Sequence, residues 1–224
     1  PDVEVKAQAV FWLGQVGGEE ALDALEEILK PGGDPELQDK ALFALAQDRS
    51  RRAQDLLQQV ALDEARSEEM RGNAIFWLGQ TGRGLQVDFL KQLYAGLQDP
   101  GLKEKVLFSV SQTDGKEAGA WLLALAKDPA EPVAMRKKAL FWAGQAHEVD
   151  VAELQEIYRS SEDREMKEQV IFVLSQQDGP GAVDALMDLA RHESDTDLRT
   201  KAIFWLGQSD DPRVVELLEE LIDQ

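Results

Sequence analysis

The chain has two histidines, and each is followed by a glutamate: His147-Glu148 and His192-Glu193. An imidazole nitrogen beside a carboxylate is a donor pair suited to a transition metal. Nothing in the sequence extends either pair into a known site. There is no His-Glu-x-x-His for zinc, no glycine-rich phosphate loop and no Gly-x-Ser-x-Gly turn to present a nucleophile. The absence of cysteine excludes disulfides and thiolate metal sites, and leaves both cytosol and bacterial envelope open as compartments. Carboxylates are plentiful, but no pair stands out as an acid with a raised pKa. No catalytic residue, cofactor or metal ligand is assigned, and the expectation is that the chain is not an enzyme.

The charge balance is 43 acidic against 24 basic residues, a net charge of −19. Nucleic-acid binders need a basic footprint to neutralise phosphates, so DNA, RNA and anionic membranes are disfavoured as partners. A basic protein or peptide is favoured electrostatically. The plainer alternative is that the charge keeps a long surface soluble. No apolar run approaches the roughly 20 residues needed to span a bilayer, and no signal peptide is present. A chain that begins at Pro1 is expected to be part of a longer one.

What dominates the sequence is a repeat. Phe-Trp-Leu-Gly-Gln occurs at Phe11 to Gln15 and at Phe76 to Gln80, returns as Phe141-Trp142-Ala143-Gly144-Gln145, and closes with Phe204 to Gln208. Weaker copies begin at Phe43, Phe108 and Phe172, so the steps between the seven Phe are 32, 33, 32, 33, 31 and 32 residues. A fixed period in this range signals stacked supersecondary units. Such a stack is usually a binding surface, and a catalytic residue is expected once, not seven times.

The last unit shows how each one is built. Asp195, Thr196 and Asp197 supply N-cap candidates before Leu198, and apolar residues at 198, 202, 205 and 206 follow helical spacing. Gly207 is read as a helix terminator. Ser209-Asp210-Asp211-Pro212 is a turn, and Val214, Leu217, Leu218, Leu221 and Ile222 form one side of a second helix. The same reading places first helices at about 2–14, 35–46, 67–79, 100–111, 131–144, 163–175 and 195–207. Second helices fall at about 18–30, 51–61, 84–97, 116–126, 149–159, 180–191 and 212–223. No stretch alternates like a strand. The units are about 1–33, 34–65, 66–98, 99–129, 130–161, 162–193 and 194–224, expected to form a single solenoid domain over residues 1–224.

Asp-x-x-Leu-Arg-x-Lys-Ala-x-x-x-Leu-Gly followed by Asp-Pro-Arg-Val-Val-x-x-Leu in the last unit resembles the HEAT repeats, in particular the short bacterial, phycobilisome-lyase-like type. The resemblance covers the whole chain in seven units. It implies an all-α, armadillo-like fold: a right-handed α-α superhelix of about 14 helices, with first helices outside and second helices lining the concave side. The spacing of tetratricopeptide repeats and the ankyrin Thr-Pro-Leu-His are both absent. Among HEAT-like enzymes, the deoxyhypusine hydroxylases hold two irons through four His-Glu pairs inside helices. This chain has two such pairs, expected at helix ends or turns, so the resemblance does not carry that site over. The HEAT-like DNA glycosylases use a basic groove, which the charge contradicts. A bilin lyase activity follows only from the family name.

Within the motif, Trp12, Trp77, Trp142 and Trp205 mark the odd units, where the even units have Ala44, Ser109 and Val173. The true period is therefore two units, and the large-small alternation is read as interlocking packing with Trp in the core. A row of indoles offered to a ligand is the alternative. At about 100° per residue, the apolar positions centre roughly opposite the Phe, whose neighbours on the wheel are polar. Either the rings fill the groove between adjacent first helices, which is the favoured reading, or they form an exposed stripe for a partner. The Gln four residues after each Phe is read as a buried hydrogen-bonded ladder. The basic residues five before it (Lys6, Arg71, Lys103, Arg136, Lys167, Arg199, with Gln38 the exception) are read as a solvated stripe or as partners for neighbouring acids.

On this reading the chain is a noncatalytic protein-interaction scaffold. The candidate partner-binding residues are on the second helices: Glu20, Glu27, Asp55, Gln59, Asp88, Gln92, Glu153, Glu156, Asp184, Asp188, Glu216 and Glu220. They would form an acidic concave face for a partner protein or peptide. The alternatives are a HEAT-like enzyme, bilin lyase-like or metal-dependent, and a fragment regulating a larger receptor or enzyme.

Overall fold

The computed structural model describes residues 2–81, 84–113, 116–146 and 149–223. Among these residues every regular element is an α-helix. The first helices are α1 (Val3–Val16), α3 (Pro35–Gln47), α5 (Glu68–Gln80), α7 (Pro100–Ser111), α9 (Val133–Ala146), α11 (Arg164–Ser175) and α13 (Thr196–Leu206). The second helices are α2 (Glu19–Ile28), α4 (Arg51–Leu62), α6 (Gly84–Gly96), α8 (Lys116–Lys127), α10 (Val151–Ser160), α12 (Pro180–His192) and α14 (Arg213–Ile222). This is the all-α, fourteen-helix HEAT-type architecture that the repeat implies.

The helix starts follow from short polar side chains that satisfy otherwise orphaned N–H groups. The Asp99 carboxylate accepts from the Leu102 N–H at 2.7 Å, and Asp34, Ser50, Ser67, Asp150, Asp163 and Asp195 act alike. Pro35, Pro100 and Pro180 follow their caps at the first turn, where a missing N–H costs nothing.

The helices fall into two compact units, Pro1–Ala118 and Gly119–Gln224, with the boundary inside α8. Each has its own core. Leu42, Leu45, Leu57, Ile75, Leu78 and Leu107 are fully buried in the first, and Leu122, Leu140, Leu154, Ile171, Leu174 and Leu206 in the second. In both units consecutive first helices pack closely, whereas consecutive second helices meet less extensively.

The two-unit period has a steric cause. A Cβ built on Gly14 would lie 2.7 Å from the Cβ of Ala44; on Gly79, 2.7 Å from the Cα of Ser109; and on Gly144, 2.6 Å from Cγ1 of Val173. Each odd-unit Gly thus seats against the small residue that replaces Trp in the next even unit. The Ser109 hydroxyl, buried there, donates to the Ile75 carbonyl at 2.9 Å. Gly14, Gly79 and Gly144 lie inside their helices, so their role is close approach and not termination. Gly207 does follow the end of α13, but with a right-handed φ of −63°.

The Trp residues are not core. Trp12 is 57% exposed, and Trp77, Trp142 and Trp205 are half-buried. Position i+1 sits about 100° round the helix from its Phe, at the border of the apolar arc. From there the indole reaches the ring of the preceding even unit: Phe43 to Trp77 at 5.2 Å, and Phe172 to Trp205 at 5.4 Å, both edge-on.

Candidate functional site

Within each unit the motif Phe residues form a row along the first helices. Phe11 stacks on Phe43 with centroids 6.5 Å apart, Phe76 on Phe108 at 6.0 Å, and Phe141 on Phe172 at 6.0 Å. Within each unit one Trp, Trp77 in the first and Trp205 in the second, bridges the preceding ring to its own Phe edge-to-face, a geometry that suits the ring quadrupoles. The rings do pack between adjacent first helices, and they also remain half-open to solvent, with Phe204 58% exposed. Both of the alternatives read from the helical wheel are therefore partly realised.

In the first unit this row floors a groove of about 780 Å³ across α1, α3 and α5. Phe11, Phe43, Phe76, Trp77 and Ala7 form its apolar part, and Glu4, Gln8, Glu36, Asp39, Lys40 and Asn73 its polar rim. The groove thus opens on the face that the family resemblance assigned to the outside. Three carboxylates face one ammonium on the rim. Asp39 is held by the Asn73 amide, which donates to it at 2.9 Å.

The second unit carries the same aromatic row with a different rim. There Lys137 meets Glu165 at 2.7 Å, Lys201 meets Glu168 at 2.6 Å, and Arg164 pairs with Asp197. The carboxylates on these first helices are neutralised from within the stack.

The predicted second-helix residues are on the surface, and most are tied to neighbours. Glu27 pairs with Lys30, Asp88 lies 4.0 Å from Lys91, and Glu153 and Glu156 lie 3.3 and 3.2 Å from Lys127. Asp184 meets Arg213 at 2.6 Å, Asp188 meets His192 at 2.9 Å, and Glu220 meets Arg191 at 3.0 Å. Glu20, Asp55, Gln59, Gln92 and Glu216 are exposed. Arg52 is shared among Glu19, Asp23 and Glu26, and hydrogen bonds to these three carboxylates raise the pKa of its guanidinium. The second-helix surface is therefore an ion-pair lattice as well as an acidic one.

Two further recurrences take different roles from those expected. The motif Gln side chains (Gln15, Gln47, Gln80, Gln112, Gln145, Gln176, Gln208) are all exposed, so they form no buried ladder. They sit at or beyond the last turn, where the chain leaves the packed stack. Gln112 and Gln176 reach only the preceding Ser hydroxyl, at 3.2 and 3.1 Å. Five of the seven residues that stand five before a motif Phe turn back onto the preceding second helix. Arg71 and Arg136 donate to the Ala61 and Ala126 carbonyls at 3.1 and 3.0 Å, and Gln38 to the Lys30 carbonyl at 2.8 Å. Lys103 and Lys167 lie over the Tyr94 and Tyr158 rings. A cation at a helix C-terminus satisfies orphan carbonyls and complements the dipole; neither a solvated stripe nor an acid-pairing row describes these five, whereas Lys6 is exposed as a solvated stripe would have it.

His147 and Glu148 lie outside the described residues. At the other pair, His192 faces Asp188, while Glu193 accepts from the Tyr158 hydroxyl at 2.5 Å. Burial pushes the Glu193 carboxyl up, but hydrogen bonds from the Asp195 N–H and the Tyr158 hydroxyl outweigh it and hold it below its ordinary value. Burial, with Glu193 as acceptor, raises the Tyr158 phenol well above the usual range. The two members of this pair thus point to different partners, and no residue is assigned to a metal or cofactor.

The comparisons with known proteins follow the repeat. Residues 151–224 match the family model for HEAT repeats, and residues 5–31 match that for the PBS lyase HEAT-like repeat. HEAT-type repeats are thus matched near both ends of the chain. No curated protein matches the sequence. Similar solved structures include human deoxyhypusine hydroxylase in complex with glycerol, 19% identical with a TM-score of 0.45, covering 100% of this chain and 85% of that one. Another is the complex of CpcE and CpcF of phycocyanin lyase from Nostoc sp. PCC7120, 17% identical with a TM-score of 0.44, covering 97% and 88%. The expectation that this HEAT-repeat chain is not an enzyme is corrected here, because similar structures carry the names of a hydroxylase and a lyase. Repetition does not exclude catalysis, since individual HEAT units diverge and a residue can occur in one of them alone.

Proposed function

We propose that the chain binds a partner protein through the aromatic face of its first helices, with the groove across α1, α3 and α5 as the principal seat. The observation that carries this reading is the half-exposed row of stacked rings. Large aromatic side chains left open along one face offer apolar area and specific geometry that single scattered hydrophobics do not. Phe11, Phe43, Phe76 and Trp77 line one continuous recess rather than separate dimples. HEAT repeats commonly mediate protein interactions, which agrees with this use. The acidic second-helix surface supports a partner less directly, because many of its carboxylates already have cations from neighbouring helices.

The test is site-specific photo-crosslinking in an extract of the source cells. A crosslinker at Gln8 or Lys40 is expected to capture a discrete protein adduct, and one at Glu20 or Gln59 is not. Adducts confined to the second-helix positions would overturn the assignment of the face.

A further inference from the structure

The aromatic rows of the two units are built from the same motif, so their rims can be compared position by position in the sequence. Counting back from the motif Phe, Glu36, Asp39 and Glu69 of the first unit correspond to Glu165, Glu168 and Asp197 of the second. The acids are kept. Their partners are not: Lys137, Lys201 and Arg164 correspond to Ala7, Asn73 and Pro35. Where the second unit closes Lys137 onto Glu165 and Lys201 onto Glu168, the first has Ala7 in the place of Lys137, and an uncharged amide on Asp39. Ala7 and Asn73 both line the groove.

We propose that the groove of the first unit takes a lysine- or arginine-bearing segment of the partner, whose cations occupy the places that Lys137 and Lys201 fill in the second unit. This rests on the protein-binding reading of the aromatic face and adds to it the chemistry of the occupant. Two features fit a cation. The rim keeps Glu4, Glu36 and Asp39 against a single Lys40. The net charge of −19 draws a basic segment in from a distance. The long apolar stems of Lys and Arg also suit a site with an aromatic floor and an acidic edge.

The experiment uses the whole chain and three capped dodecapeptides that differ only in carrying four Lys, four Gln or four Glu. Binding is followed through the five tryptophan indole N–H resonances, assigned by single Trp→Phe variants. The Lys peptide is expected to shift the Trp77 signal, and the Gln and Glu peptides are expected to bind about tenfold more weakly or not at all. The double variant Ala7→Lys/Asn73→Lys installs the cations of the second unit on two half-buried positions. It is expected to fold normally and to lose the Lys peptide at Trp77. The reverse change, Lys137→Ala/Lys201→Asn, is expected to create a second site reported at Trp205.

Equal binding of all three peptides at Trp77, unaffected by the double variant, would overturn the cationic occupant while leaving the aromatic face as the binding surface. A Lys peptide that shifts other indoles but not Trp77 would remove both. Failure of every peptide to bind at millimolar concentration would also overturn the inference, and the crosslinking result would then decide the face by itself.

Discussion

Gly14 faces Ala44 so closely that a side-chain carbon on the glycine would sit 2.7 Å from the alanine Cβ and 2.9 Å from its Cα. The same relationship joins Gly79 to Ser109, where the obstruction includes the Ser109 carbonyl oxygen at 2.8 Å. Backbone cannot rotate away as a side chain can. Gly79→Ala is therefore expected to destabilise the fold by about 1–3 kcal/mol through overpacking, despite the better helix propensity of alanine. Gly72 is the internal control, since its added carbon would meet only Lys105 and Leu102 side-chain atoms at 3.6 to 3.8 Å. Gly72→Ala is expected to be neutral or to stabilise by up to about 1 kcal/mol. Urea denaturation of the two variants checks the contrast, and similar effects would contradict it.

The Arg side chains that turn back onto the preceding helix predict a second effect. Arg71 and Arg136 each hold a carbonyl near a second-helix C-terminus. Replacing either by Met, which keeps much of the stem, is expected to cost about 0.5–1.5 kcal/mol, the net worth of such a hydrogen bond. The loss should persist in high salt, because it leaves carbonyls unsatisfied and does not depend on a screened surface pair.

Three carboxylates of the second unit contribute to the acid limb of stability. The hydrogen bonds from the Arg213 guanidinium and N–H hold the Asp211 carboxyl down to about 2, against an ordinary value of 3.8. The Leu198 N–H, partly opposed by burial, likewise holds Asp195 below its ordinary value, and Glu193 is lowered as well. A carboxyl whose pKa is lower in the folded state contributes stability that is full above its unfolded value and is lost as pH falls through the folded one. For Asp211 that window runs from about 4 down to about 2. Midpoints of thermal unfolding followed through Trp142 and Trp205 fluorescence should drop across it, and Asp211→Asn should shallow the slope. An unchanged slope in the variant would remove Asp211 from this account.

The aromatic row gives a stability prediction that differs along its length. Phe43 is held between Phe11 and Trp77, whereas Phe204 is 58% exposed. Phe43→Leu is expected to cost about 1 kcal/mol or more, since aromatic pairs add roughly 0.5–1.5 kcal/mol beyond area. Phe204→Leu should cost distinctly less. Equal losses would mean that the rings do not stabilise one another across the stack.

Much of the fold was legible because it repeats. The period placed the helices, and Asp195 marked the start of the last unit's first helix. The wheel correctly set the motif Phe apart from the main core. What the wheel could not show was the neighbour. Whether Gly14 ends a helix or admits Ala44 depends on a helix 30 residues away. Arg71 looked like a surface charge because its acceptor is a backbone carbonyl, which carries no side-chain signal. The seven Gln were misread for the opposite reason: recurrence was taken as evidence of burial, whereas all of them are exposed at the helix ends. The rim differences between Ala7 and Lys137, and between Asn73 and Lys201, were present in the sequence throughout. They acquired meaning only once Glu165 and Glu168 were seen to be paired.

Whether the partner docks on the first-helix face or the second-helix face is read by isothermal titration of the partner recovered by crosslinking, against two double variants. Ala7→Lys/Asn73→Lys alters the aromatic groove, and Asp55→Lys/Gln59→Lys alters the second-helix surface with a somewhat larger change in charge. The first is expected to lose at least about tenfold in affinity, and the second to change by less than about threefold. The reverse order of effects would overturn the first-helix assignment.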